Sequence, residues 1–218
     1  DDRQRLDPMI TGFNPADMYA TDHIRRVLET YPGVVSGIGE FTIHKEFVSS
    51  KVAGNVASLT NPALDRILDL AAEVGLVALI HSDIDVPFAS DTKGLIYLKQ
   101  MVELLARHQD ATVIWAHTGL GRVIAPVNVQ ASIESTERSV NHFEIIDTIV
   151  KEPRLGHVYF DISRSEVAKD AVRSPEAVEV TAAFQNTHAD RILVGTDNVA
   201  PTDQAKHLEV YQMWDPVW

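Results

Sequence analysis

The 218-residue chain contains no cysteine. That excludes disulfides, thiolate nucleophiles and zinc sites built from sulfur, and it leaves histidine and carboxylate side chains as the only strong metal ligands. No apolar run approaches the roughly 20 residues that a membrane-crossing helix needs, so no membrane partner is expected. Basic residues are few as well: 19 Lys and Arg stand against 31 Asp and Glu, for a net charge of −12. So acidic a chain repels nucleic-acid phosphates and anionic membranes, and a small molecule is the expected partner. The first residues, Asp1-Asp2-Arg3-Gln4-Arg5, carry no apolar signal segment, and the sequence specifies no compartment. Apolar residues at 45% and charged residues at 23% are the proportions of an ordinary soluble globular chain. One domain over 1–218 is the simplest expectation at this length.

What the chain does have is a rhythm. Five apolar stretches each end in a residue able to hold a metal or move a proton: 34–40 ends in Glu40, 77–81 in His81, 112–117 in His117, 158–161 in Asp161 and 191–197 in Asp197. The end residues lie 41, 36, 44 and 36 positions apart, the spacing of a repeated strand and helix. Parallel strands covered by helices on both faces read as continuous Val, Ile and Leu, as Val77-Ala78-Leu79-Ile80 does. An ionised side chain at the end of such a strand costs several kcal/mol unless it is paired or bound to a metal. Five in register call for one cause. In a strand–helix barrel the carboxyl ends of all strands meet at one face, where active sites lie, so these five residues are expected to converge.

Helix signals fall between the strands. Asn14-Pro15-Ala16-Asp17 and Asn61-Pro62 read as starts, Tyr31-Pro32-Gly33 and Gly75 as stops, and Leu64, Ile67, Leu68, Ala71 and Val74 as one apolar face. Further helices are expected over 93–107, 143–151, 175–187 and 202–213, with the Trp-rich end, Trp214 to Trp218, packed against the barrel wall. Met9 to Phe13 adds a sixth strand, whereas a closed barrel of this kind needs eight. Either two strands lie upstream of Asp1, which is the expectation preferred, or the sheet is open or completed by another chain. Association with further copies of the chain is left open. The long connections 42–60, 82–92 and 118–141 follow strands, where loops commonly carry function.

Ile38-Gly39-Glu40, Ile80-His81-Ser82, Ala116-His117-Thr118-Gly119 and Gly195-Thr196-Asp197 together resemble the strand-end signatures of the amidohydrolase superfamily. Val158 to Ser163 and Thr187 to Asp197 extend the likeness over most of the chain, and within the superfamily it is similar to the amidohydrolase-related branch of hydrolases and nonoxidative aromatic-acid decarboxylases. The resemblance implies a (β/α)8 TIM-type barrel, here without its first two strands, holding one or two divalent metals, zinc or alternatively manganese. It implies His81, His117 and Asp197 as metal ligands, Asp197 also as the proton shuttle, His117 also as a substrate contact, and Glu40 as a further ligand. The His-x-His pair that ends the first strand in that family is absent from these 218 residues.

The residue types set the chemistry. Water on a divalent metal ionises near neutral pH, and a carboxylate such as Asp197 can accept its proton and return it to a leaving group. His117 could steady a charged intermediate. Plainer roles stand beside these. Glu40 can pair with Lys45, Asp161 can orient His117, Asp197 can cap a turn, and His44 lies near the rim as a substrate contact without a defined role. His108 and His188 suit helix ends, His142 reads as a helix cap, and Arg122, Arg138 and Arg164 read as surface charges. Hydrolysis of an amide or ester is the leading reading, aromatic-acid decarboxylation the second and a noncatalytic barrel without metal the third.

Overall fold

The computed structural model describes residues 5–45, 58–84, 95–121, 127–129, 138–198 and 202–218, with Ile96, 127–129 and 138–139 described by backbone alone. Eight strands and seven α-helices follow in chain order among them: β1 Met9–Ile10, α1 Ala20–Thr30, β2 Gly37–Thr42, α2 Pro62–Val74, β3 Val77–His81, α3 Ile96–Arg107, β4 Thr112–Trp115, β5 Val127–Val129, β6 Arg138–Val140, α4 His142–Val150, β7 Val158–Asp161, α5 Ser165–Ala171, α6 Pro175–Thr187, β8 Ile192–Leu193 and α7 Gln204–Gln212. Six strands form one sheet in the order β1-β2-β3-β4-β7-β8, and every pairing in it is parallel. This is part of a (β/α)8 barrel with helices alternating between strands, as the strand rhythm requires. The two remaining strands form an antiparallel pair inside what the sequence presents as the 118–141 loop.

The local signals act as physical chemistry predicts. Asn61 Oδ1 accepts from the Ala63 N–H at 2.9 Å, Pro62 occupies the first turn, and Gly75 ends α2 in the left-handed region at φ 71°. Leu64, Ile67, Leu68 and Ala71 are buried, but Val74, counted on the same face by its spacing, is exposed at the last position of the helix, before Gly75 turns the chain toward β3. Ser174 caps α6 through the Ala177 N–H. At the first helix the signals mislead. Asn14 and Asp17 each bond a backbone N–H two residues on, at Ala16 and Tyr19, forming side-chain turns that postpone the helix to Ala20. The cap of α4 is Asn141 in a capping box with Glu144, and His142, read as the cap, is instead a buried residue of the first turn. The short α5 has no counterpart among the helices expected from the sequence.

The sheet and the helices on it share one apolar cluster of the described residues, with Trp115, Phe143, Phe160 and Trp214 among its largest members. Trp214 lies 6.5 Å from Phe143 and 6.2 Å from Trp218, ring to ring, and the Trp218 indole N–H donates to Gln185 Oε1 at 3.0 Å. The tail thus packs on α4 and α6. Gly39 lets β2 approach β3: its φ is 129°, and a Cβ there would collide with the Leu79 carbonyl oxygen. The pairing register shifts between Ile38 and Phe41, so β2 continues to Thr42 and Glu40 lies inside the strand instead of ending it.

Candidate metal centre

Four of the five converging side chains sit at or beyond the carboxyl ends of their strands. His81 is the last residue of β3 and Asp161 the last of β7; His117 lies two residues past β4, and Asp197 four past β8. Glu40 faces the same rim from β2. Glu40, His81 and His117 each offer one ligand atom, and the three atoms lie within 4.8 Å of one another.

The histidines present opposite nitrogens to Glu40. His81 Nδ1 is 2.8 Å from Glu40 Oε1, and its Nε2 is 3.4 Å from Asp83 Oδ1. His117 reverses the arrangement: Nε2 faces Glu40 Oε2 at 3.5 Å, while Nδ1 lies 2.9 Å from Ser163 Oγ and 3.4 Å from Asp161 Oδ2. Ser163 Oγ–H donates to Asp161 Oδ2 at 2.6 Å, and Asp161 Oδ1 accepts from the Ser163 N–H at 2.8 Å. Each ring therefore has its far nitrogen backed by a carboxylate, which fixes the ring's orientation and raises the basicity of the nitrogen left for a metal. His117 Nε2 is buried without a well-formed hydrogen bond, a buried polar atom aimed at the space between the three side chains. Two imidazoles and a carboxylate suit a divalent ion such as zinc, and the residues fit such an ion on the donors they present.

Electrostatics bind the three groups together. Burial pushes the Glu40 carboxyl up, but hydrogen bonds and charge from His117 and His81 together outweigh it and hold the group well below the usual carboxylate range. Burial likewise lowers His117, and the Asp161 and Glu40 carboxylates overcome that and raise it to about 9. Lys45 Nζ reaches Glu40 Oε1 at 3.5 Å, so the expected pairing with Lys45 exists beside the two histidine contacts.

Asp197 stands next to this group and outside it, 3.8 Å from His117 Nε2 and partly exposed. β8 ends four residues earlier, so a loop rather than a strand presents Asp197. Asp161 contacts the backbone N–H of His117 at 3.4 Å as well as its ring. His44 stacks on Tyr97, centroids 3.7 Å apart and rings 8° from parallel, and it is not in the three-residue group. Burial lowers its pKa to about 4, against the charge of Asp83, so the ring is neutral. Arg164, read as a surface charge, is only 4% exposed: its Nε lies 3.3 Å from Glu166, and it lines a cavity of about 260 Å³ together with Asp197. Arg122 and the side chain of Arg138 lie outside the described residues. Sequence reasoning passed over Asp83 and Ser163, although both sit two residues past a strand-end His or Asp, a spacing that marks them.

No protein-family model matches the chain, and no curated protein matches it by sequence. Among solved structures, a dihydroorotase from Campylobacter jejuni aligns with a TM-score of 0.53 at 12% identity, over 88% of this chain and 51% of its own. The shared property is the fold. An amidohydrolase II aligns at TM-score 0.49 and 13% identity, over 90% of this chain and 60% of that one. A 2,6-dihydroxybenzoate decarboxylase from Rhizobium aligns at 0.42 and 14%, over 93% and 67%, and neither of these two weaker likenesses adds to the case. The chain spans about half the length of the dihydroorotase.

Proposed function

We propose that this chain carries the metal centre of an amidohydrolase-type hydrolase acting on an amide or ester bond of a small molecule. The observation that carries the reading is the Glu40, His81 and His117 group, its ligand atoms within 4.8 Å of one another and both imidazoles braced from behind by carboxylates. These three residues would hold a divalent ion, with zinc the best match to two nitrogens and an oxygen and manganese the alternative. Such an ion supplies Lewis acidity toward a carbonyl and brings the pKa of its water to about 7.

The chain's own groups then have distinct tasks. Asp161 and Asp83 fix the two rings. With Nε2 engaged as a ligand and Nδ1 held by Ser163 and Asp161, His117 has no proton left to polarise a substrate, so we assign it to the metal. Asp197, close to His117 Nε2 and open to solvent on one side, would take the proton of the attacking water and deliver it to the leaving group. The dihydroorotase fold is compatible with this task, and the substrate is set by loop side chains rather than by the fold.

Metal analysis of protein purified without chelator tests the reading. About one equivalent of zinc or manganese per chain is expected, as three protein ligands suffice for a catalytic ion, and His81→Ala should abolish it. Hydrolysis of cyclic amides or esters should then stop with chelator and return with zinc. Carbon dioxide release from hydroxybenzoates without any hydrolysis would replace this reading with a decarboxylase. A chain that takes up no metal even after dialysis against zinc would be a noncatalytic barrel.

A further inference from the structure

We propose that His142, on α4, is a positioning residue for the ligand His117 and acts through Thr118, an inference that rests on the metal-centre reading above. The turn that delivers His117 is an unusual one. His117 and Thr118 both occupy the left-handed region, at φ 54° and 53°, and Gly119 follows at φ 70°. Two successive residues with side chains, one of them β-branched, rarely adopt that conformation, and it persists only where the surroundings over-determine it. The space around the turn is full, since a Cβ at Gly119 would come within 2.8 Å of Ile84 and 2.9 Å of Trp115.

His142 supplies the constraint from outside the sheet. Its Nε2–H donates to the Thr118 carbonyl at 3.0 Å and lies 2.9 Å from Thr118 Oγ1, while the Thr118 hydroxyl donates to the His117 carbonyl at 2.6 Å. One imidazole N–H thus ties down both the carbonyl and the hydroxyl of Thr118, and Thr118 in turn ties down His117. His142 is itself held in place: it is buried in the first turn of a helix with a complete capping box, and its ring packs edge-on against Phe143 at 5.9 Å. Burial keeps the ring neutral at ordinary pH, so the contact brings no second charge near His117. Asp161 sets the direction in which the His117 ring points, and His142 sets the backbone from which it starts. Without that donor the turn is free to relax toward commoner backbone angles, which would swing Nε2 away from Glu40 and His81.

Two variants separate positioning from bulk packing. His142→Leu keeps an apolar side chain of similar size and removes the donor, whereas His142→Gln restores an N–H near the place of Nε2. Cobalt(II) binding to chelator-treated protein is followed by visible absorption and by competition with a chromophoric chelator, with folding checked by circular dichroism. His142→Leu should stay folded, bind cobalt about 10- to 100-fold more weakly and show an altered d–d spectrum, as loss of a residue that orients a ligand does. His142→Gln should recover most of both. If His142→Leu does not fold, Thr118→Val removes the hydroxyl link in its place. A folded His142→Leu with wild-type affinity and spectrum would overturn the proposal, as would a His142→Gln no better than the leucine variant. The metal-free ring ¹⁵N–¹H NMR correlations of His117 give a second readout, which should shift in His142→Leu and return in His142→Gln. If wild-type protein takes up no cobalt, the metal reading falls, and those ring signals alone decide whether His142 positions His117.

Discussion

Asp161 touches His117 at three places, the backbone N–H, the ring nitrogen and, through Ser163 Oγ, the ring again. Asp161→Asn keeps the shape and removes the charge, so it should leave the fold intact while weakening metal binding by about 10- to 100-fold. Competition titration against a chelator would measure it. Gly39 presents the opposite case, because any side chain there meets the Leu79 carbonyl at a φ that L-residues avoid. Gly39→Ala should destabilise by more than about 2 kcal/mol in urea unfolding, the combined result of backbone strain and a forced shift of β2 from β3. His142 gives a pH dependence whose sign follows from its burial. Burial lowers its pKa from 6.5 to about 4, only partly offset by the bond to Thr118, so the folded state excludes a proton that the unfolded chain accepts. Its contribution is complete above pH 6.5 and is lost as pH falls from there through 4, on the order of 3 kcal/mol. The urea midpoint of the wild type should therefore drop between pH 7 and 4.5 by more than that of His142→Gln. At this scale the sequence showed which side chains could carry charge or bind metal. It did not show that Asp83 and Ser163 would back the rings, since neither ends an apolar stretch.

Helix α2 is the element whose sequence and structure agree most fully. Asn61, Pro62, the buried face and Gly75 all act within a few residues, so tertiary contacts have little to override. Asn61→Ala should cost about 1 kcal/mol in urea unfolding, the usual loss for an N-cap, and Asn61→Asp should recover most of it. Helix α1 shows why similar signals can fail: Asn14 and Asp17 satisfy N–H groups locally, which ends in turns as readily as it begins a helix. Strand β2 began later than its apolar residues suggest and ran beyond Glu40, because its limits follow the pairing with β3 and not its own composition. The antiparallel pair β5 and β6 gave no usable signal, for two three-residue strands acquire their identity only from each other.

At the scale of the molecule, the sheet and the C-terminal tail depend on the same cluster. Trp214 is fully buried against Phe143, and the chain continues to Trp218 on α6. Trp214→Ala should lower stability by about 3–5 kcal/mol, the range for deleting a buried aromatic. The loss should appear in global unfolding, because α4, which it packs against, also carries His142. The sequence by itself determined the order of the six strands of the main sheet and of the helices between them apart from α5, the helix caps that act within one turn and the set of oxygen and nitrogen donors, since each of these is written in neighbouring residues or in composition. Only the tertiary structure decided that Glu40, His81 and His117 form one group while Asp197 stands beside it, that Arg164 is buried, and that His142 braces a turn 24 residues away in sequence. Those outcomes depend on strand register, on where each strand ends and on contacts between distant segments, and no local pattern encodes a distance across the sheet.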